Sequence, residues 1–254
     1  MVKGKEILSF GDETFLVYSD GKSLKIALGR YPINFEGNEE IKNLKKSKGK
    51  FSKSITSKEF ETLKDLRISN LGEKYFLSYK IKKNGQNQNY YEVTDDLKKW
   101  ENPEKSKLDG TSIVVSEYKL QNRYVAFFGD SSIKVALSKD LKKWEKEKIV
   151  LKPRKAKFDK GKLQPARAIL TEEGILLFYY VEEGTKNKSY TLGAAVFDIK
   201  NPGKILWRSE VPVWEMNKKD MKNKFSPIGL LYKKNYIYKN FPFLFIQIDF
   251  FYLL

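Results

Sequence analysis

Short apolar runs separated by polar punctuation dominate the chain, and the clearest case lies between Lys162 and Glu215. Leu163-Gln164-Pro165-Ala166-Arg167-Ala168-Ile169-Leu170 is followed by a Glu172-Glu173-Gly174 turn and then by Ile175-Leu176-Leu177-Phe178-Tyr179-Tyr180. After a polar loop come Tyr190-Thr191-Leu192-Gly193-Ala194-Ala195-Val196-Phe197-Asp198 and Ile205-Leu206-Trp207. None of these runs carries a 3.6-residue period, and Gly, Pro and Asn bound each of them. The pattern predicts successive antiparallel strands of one small sheet.

Similar units precede and follow it. One runs through Phe15-Leu16-Val17-Tyr18 to Leu28, a second from Tyr75 to Trp100, a third from Tyr124 to Trp144, and another starts near Tyr236. Two of them end in Asp-Leu-Lys-Lys-Trp-Glu, with Trp100 and Trp144 placed 44 residues apart. A repeat of ~40–50 residues, each a small antiparallel sheet, is the signature of a β-propeller. The expectation is therefore an all-β fold, a single five-bladed propeller domain over residues 1–254 with blades near 7–36, 60–101, 109–150, 162–215 and 225–254. Asp96 and Asp140 are expected to bond the backbone ahead of them. One helical turn would then set Leu97 with Trp100, and Leu141 with Trp144, into the gap between neighbouring sheets. The recurrence of these aspartates points to architecture rather than to catalysis or metal binding. Beyond Asn240 the punctuation disappears, so an incomplete or irregular last blade is expected, to which the apolar tail could still supply one buried strand; an unclosed ring would leave bare sheet edges.

Composition narrows the chemistry. There are no cysteines and no histidines, which removes disulfides, thiolate metal sites and the commonest general base. Neither a metal nor a cofactor is expected, and acid–base work falls to carboxylates, lysine or tyrosine. The net charge of +17 raises the question of nucleic acid. Its lysines are scattered among acids, and the densest run, Lys45 to Lys53, has no interleaved aromatics, so nucleic acid is not the expected partner. Met1 to Phe10 lacks the apolar core of a signal peptide, and no stretch reaches the ~20 apolar residues of a membrane span. A cytoplasmic protein without a membrane partner is expected.

The string from Leu163 through Trp207 resembles the fourth-blade region of glycoside hydrolase family 130, the β-mannoside phosphorylases and mannosidases. The family's Leu-Gly-Ala-Ala-Leu-x-Asp-Leu-x-x-Pro pattern is similar to Leu192-Gly193-Ala194-Ala195-Val196-Phe197-Asp198-Ile199-Lys200-Asn201-Pro202. In order of repeats the resemblance extends from about Ile7 to Tyr232, and it implies a five-bladed propeller acting on an oligosaccharide. The family's acid lies in a Glu-Asp-Pro-Arg segment, whose place is taken here by Lys64-Asp65-Leu66-Arg67. Asp65 is thus the expected acid. Strand alternation would point Asp65 and Arg67 to one side and Leu66 and Ile68 to the other. A second family aspartate corresponds to Asp109 in Lys107-Leu108-Asp109-Gly110, a position also typical of a turn.

The departures bear on mechanism. Family positions that hold phosphate, a His-Arg pair, a further His and an Arg, are similar in place to Phe128-Gly129, Tyr180 and Ser19. Inorganic phosphate is therefore an unlikely partner, with only Lys107 and Arg167 remaining to hold it. Hydrolysis needs a carboxylate base instead, for which Glu182 is the first candidate, with Glu183 and Glu117 behind it. Gln164, Arg167 and Tyr180 would line the sugar subsite with Arg67, Lys107 and Asp109, and Tyr179, Tyr180 and Phe128 would form a stacking floor. The expected activity is hydrolytic cleavage of β-mannosides or related oligosaccharides. The alternative is a degenerate propeller that binds a glycan or protein without turnover.

Overall fold

The computed structural model describes residues 3–10, 13–19, 24–30, 62–95, 97, 103–185, 188–216, 229–233, 236–241 and 244–249. Among them every regular element is a strand, and the strands form five antiparallel sheets. The first sheet holds β1 (Lys3–Phe10), β2 (Glu13–Ser19) and β3 (Leu24–Arg30). The second holds β4 (Lys64–Asn70), β5 (Tyr75–Lys83), β6 (Gln86–Thr94) and the short β7 (Glu104–Lys105). In the third are β8 (Thr111–Leu120), β9 (Arg123–Gly129), β10 (Ile133–Ser138) and β11 (Glu145–Leu151). The fourth has β12 (Lys162–Leu170), β13 (Ile175–Glu183), β14 (Ser189–Phe197), β15 (Ile205–Arg208) and β16 (Trp214–Glu215). The last comprises β17 (Gly229–Lys233), β18 (Tyr236–Phe241) and β19 (Leu244–Asp249).

Strands pair with their sequence neighbours, as short turns dictate, and the first strand of each sheet faces the axis. Contacts run from β1 to β4, β4 to β8, β8 to β12, β12 to β17 and back from β17 to β1. The ring is therefore closed at its inner strands. Leu244–Asp249, bare of turn residues, pairs with β18 as the third strand of the last sheet. That sheet holds three strands among the described residues, against four or five in the three sheets before it.

Cores fill the gaps between sheets. Phe127, Leu177, Tyr179 and Phe197 pack between the third and fourth, with Phe127 and Phe197 ring centroids 4.8 Å apart. Phe76, Tyr91, Phe128 and Leu141 pack between the second and third, and Trp144 meets Phe76 edge-on. Leu141 and Trp144 thus plug the gap as expected, but through no helical turn. Asp140 Oδ1 accepts the N–H groups of Lys142 and Lys143 at 2.9 and 2.8 Å, and Leu141 takes a left-handed φ of 65°. Asp198 repeats the device, accepting from Lys200 and Asn201 at 2.7 and 3.0 Å. The aspartate fixes the turn ahead of it, and at Asp140 the left-handed Leu141 takes the chain out of the helical path. Asp96, Trp100 and the Lys45–Lys53 run lie outside the described residues, while Leu97 is buried.

Gly193 has a packing role. It lies opposite Tyr179 in the β13–β14 ladder, and a methyl group there would run into the tyrosine ring. The Leu-Gly-Ala-Ala motif is therefore a row of small residues that lets an aromatic lie flat across a strand.

Candidate active site

The site is built at the starts of the inner strands β4, β8 and β12. In antiparallel sheets those starts lie beside the ends of the second strands: Lys64 opposite Lys80, Thr111 opposite Gly129 and Lys162 opposite Glu182. Inter-sheet hydrogen bonds keep the inner strands aligned, from Ser112 Oγ to Ser78 Oγ at 2.7 Å and from Val114 N–H to Ser69 Oγ at 2.9 Å.

Asp65 sits at the entry of β4 with a φ of 50°, where the β4–β5 register slips between Lys64 and Arg67. A non-glycine residue in the left-handed region is uncommon, though aspartate tolerates it better than most. The bulge breaks the two-residue alternation expected for this segment. Leu66, Arg67, Ile68 and Ser69 are all buried, whereas Asp65 is about one-third exposed, its side chain at 38%. Its carboxylate pairs with Lys80 Nζ at 2.8 Å. Burial pushes the Asp65 carboxyl up, but the Lys80 ammonium, with Arg67 and Lys64 behind it, outweighs burial and holds it below its usual range.

Lys80 reaches a second carboxylate, Asp130, at 2.6 Å. Asp130 is fixed in turn by Thr111, whose N–H and hydroxyl donate to Oδ1 at 3.0 and 3.1 Å. Gly110 (φ 73°) leaves the room this carboxylate occupies, since a Cβ there would stand 2.5 Å from Asp130 Cγ. Burial lowers the proton affinity of Lys80, yet Asp65 and Asp130 together raise it above the ordinary lysine value, so the amine stays charged.

Arg67 crosses the axis. It is 4% exposed, donating from Nη1 to Leu66 O at 2.7 Å and from Nε to Pro165 O at 3.3 Å, with its guanidinium 5.6 Å from the centre of the Tyr180 ring. That contact joins the second sheet to the fourth. Tyr180 pairs with Gln164 and is itself buried beneath Arg67. Two residues on, Glu182 accepts from the Tyr190 hydroxyl at 3.1 Å and pairs with Lys188 at 2.9 Å. Burial, then Glu182, then Asp65 push the Tyr190 phenol up, so Asp65 is near enough to act on the residue that holds Glu182.

The expected site residues divide accordingly. Asp65, Arg67, Gln164, Tyr180 and Glu182 come together at one end of the axis, whereas Asp109 turns outward. Its side chain is 83% exposed and pairs with Lys134 at 3.3 Å, on the outer half of the third sheet. Lys107 is exposed on the loop before β8, and Arg167 is half-buried in β12 beyond the irregular step at Ala166. Glu183 pairs with Lys160 at 3.6 Å, and the Glu117 side chain lies outside the described residues. Tyr179, Tyr180 and Phe128 do not make an open stacking floor: Tyr179 and Phe128 are 0% exposed in separate inter-sheet cores, and Arg67 covers a face of Tyr180. Lys80, Asp130 and Tyr190 were not anticipated. Lys80 carried one signal, a lone charge inside the largely apolar run Tyr75–Ile81.

Five sheets round an axis, with carboxylates, cations and tyrosines gathered at one end, define a five-bladed β-propeller, the fold of its structural neighbours. Residues 23–222 match the family model described as beta-1,4-mannooligosaccharide phosphorylase, and the chain belongs to glycoside hydrolase family 130. It is 24% identical over 174 residues to a beta-1,2-mannobiose phosphorylase of Listeria innocua, a match covering 62% of this chain and 47% of that relative. The match thus spans about half the length of that curated relative. Among solved structures it is similar to a glycosyl hydrolase from Bacteroides ovatus, with a TM-score of 0.72 at 16% identity over 98% of this chain and 82% of the other. It also resembles the Listeria innocua beta-1,2-mannobiose phosphorylase in its beta-1,2-mannobiose complex, with a TM-score of 0.67 at 18% identity, covering 94% and 86%. No helix among the described residues is long and apolar enough to cross a membrane.

Proposed function

We propose that the chain cleaves β-linked mannosides with water as the acceptor, using Asp65 as the acid and Glu182 as the base. The observation that carries this reading is the convergence of Asp65 and Arg67 from the second sheet with Tyr180, Tyr190 and Glu182 from the fourth. Two carboxyl groups about 6.5–9.5 Å apart are what inverting cleavage requires. Asp65 passes its proton to the glycosidic oxygen as the bond from that oxygen to the anomeric carbon breaks. Water adds to the opposite face of that carbon and gives its proton to Glu182. The products are a free sugar and the shortened saccharide. Tyr190 and Lys188 hold Glu182 in place, and a carboxylate has lone pairs enough to accept from water as well.

Water is favoured over phosphate by what surrounds the cations. Lys80 lies between two carboxylates, and Arg67 is engaged by two backbone carbonyls and the Tyr180 ring. A phosphate dianion would have to displace those partners. Sugar release from β-1,2- and β-1,4-linked manno-oligosaccharides in phosphate-free buffer tests the reading. Turnover that added phosphate leaves unchanged, with mannose as product, is expected. Rates that climb with phosphate and yield mannose 1-phosphate contradict it.

One observation favours a second reading, binding without turnover. Lys80 keeps Asp65 ionised near neutrality, and an ionised carboxylate has no proton to give. Saturable binding of the same saccharides with no release, even on the acid side, supports that alternative.

A further inference from the structure

We propose that Lys80 governs the proton on Asp65, and with it the pH range of turnover, and that Asp130 sets how much of the Lys80 charge Asp65 receives. This rests on the reading of Asp65 as the acid. Lys80 Nζ stands 2.8 Å from Asp65 Oδ2 and 2.6 Å from Asp130 Oδ2, and its side chain is only 12% exposed. One largely buried ammonium is therefore shared by two carboxylates that are each more than one-third exposed, so solvent screens the pairs but the shared cation still couples them.

The two carboxylates are held differently. Asp130 rests on Thr111, through both N–H and hydroxyl, in space that Gly110 leaves clear. Asp65 stands on a bulged strand entry in a left-handed conformation. Asp130 is thus the fixed anchor of Lys80, and Asp65 is the partner whose hold on it can change when a sugar arrives. The other groups facing Asp65 are Lys64 and Arg67 on its own strand and Tyr190 on β14, which in turn holds Glu182 beside Lys188. None of these groups is itself altered when Lys80 or Asp130 is replaced, so each replacement removes one charge.

The two replacements act in opposite directions. Lys80→Met removes the cation that favours ionised Asp65, and leaves a second carboxylate nearby. Asp65 then keeps its proton to higher pH. Asp130→Asn removes a negative charge and leaves Lys80 to Asp65 alone, so the proton is lost at lower pH. Lys80→Arg keeps the charge and stays near the parent. A merely structural role for the pair would change stability or overall rate, not move a titration in two directions.

The test combines carboxyl carbon NMR titration of Asp65, assigned with Asp65→Asn, and the pH dependence of kcat/KM on β-1,2-mannobiose in phosphate-free buffer. The expected result is a parent titration below the usual aspartate value near 3.9, raised in Lys80→Met and lowered in Asp130→Asn. The alkaline limb of kcat/KM should move with it. Superimposable titrations, or shifts of one sign in both variants, overturn the proposal even if Asp65→Asn is inactive. Full turnover by Asp65→Asn, or none by the parent, removes the acid assignment itself. The pH-range inference then falls whatever the titrations show.

Discussion

Asp65→Asn is expected to reduce kcat by about 10²–10⁴-fold on a β-mannoside, the usual contribution of a positioned acid, with KM nearly unchanged. The substitution suits the question because asparagine adopts the left-handed region as readily as aspartate, so the strained entry of β4 at φ 50° should survive it. Stability should hardly change at neutral pH. The Asp65–Lys80 pair is more than one-third exposed on the carboxylate side, so screening limits it to about 1 kcal/mol or less. The sign of its pH dependence follows from the lowered proton affinity of Asp65. Its stabilisation is present above the unfolded aspartate value near 3.9 and fades as pH falls through the lower folded value. Parent and variant melting temperatures should therefore converge in acid. Undiminished turnover in the variant would remove Asp65 from the chemistry.

Asp159→Ala should cost about 3–5 kcal/mol of stability, because it breaks an ion-pair cluster built on a fully buried carboxylate. Asp159 is 0% exposed on the loop between β11 and β12 and accepts from Arg154 Nε at 2.9 Å and the Tyr179 hydroxyl at 3.0 Å. Arg208, at the end of β15, donates to it through Nη2 and to Tyr179 through Nε at 3.2 Å. The carboxylate thereby clasps the outer strand of the fourth sheet to the loop that enters the same sheet. Removing it leaves two guanidinium groups facing each other beside a buried phenol. Urea unfolding measures the effect, and a loss below about 1 kcal/mol would show that neighbouring groups or water replace the clasp.

Much of this architecture was legible because it follows local rules. The runs around Leu163, Ile175 and Leu192 fold as β12, β13 and β14, since apolar residues bounded by Gly, Pro and Asp leave few other solutions. Asp140 was recognisable as a turn former, but a helical turn after it was the wrong inference. Leu141 stands in the left-handed region instead, which takes the chain out of the helical path. The site was less readable because its geometry depends on irregularities. A one-residue slip in β4 cancels the alternation that period-2 reasoning assigns to Asp65 and Arg67. Arg67 finds Pro165 and Tyr180 only because the ring brings the second and fourth sheets face to face. Asp109 and Asp130 illustrate the same limit. Both are acidic residues in turns, and only the fold shows that Asp109 turns to Lys134 while Asp130 meets Lys80.

The central claim is that Asp65 and Glu182 flank a bound mannoside from opposite sides of the axis, and a crystal structure of Asp65→Asn with a β-1,2-linked manno-oligosaccharide tests it most directly. The expected complex has the glycosidic oxygen beside residue 65, the sugar near Arg67, and Glu182 on the far face with the two carboxyl positions about 6.5–9.5 Å apart. A saccharide seated elsewhere on the propeller, or a Glu182 that never faces the anomeric carbon, would contradict it.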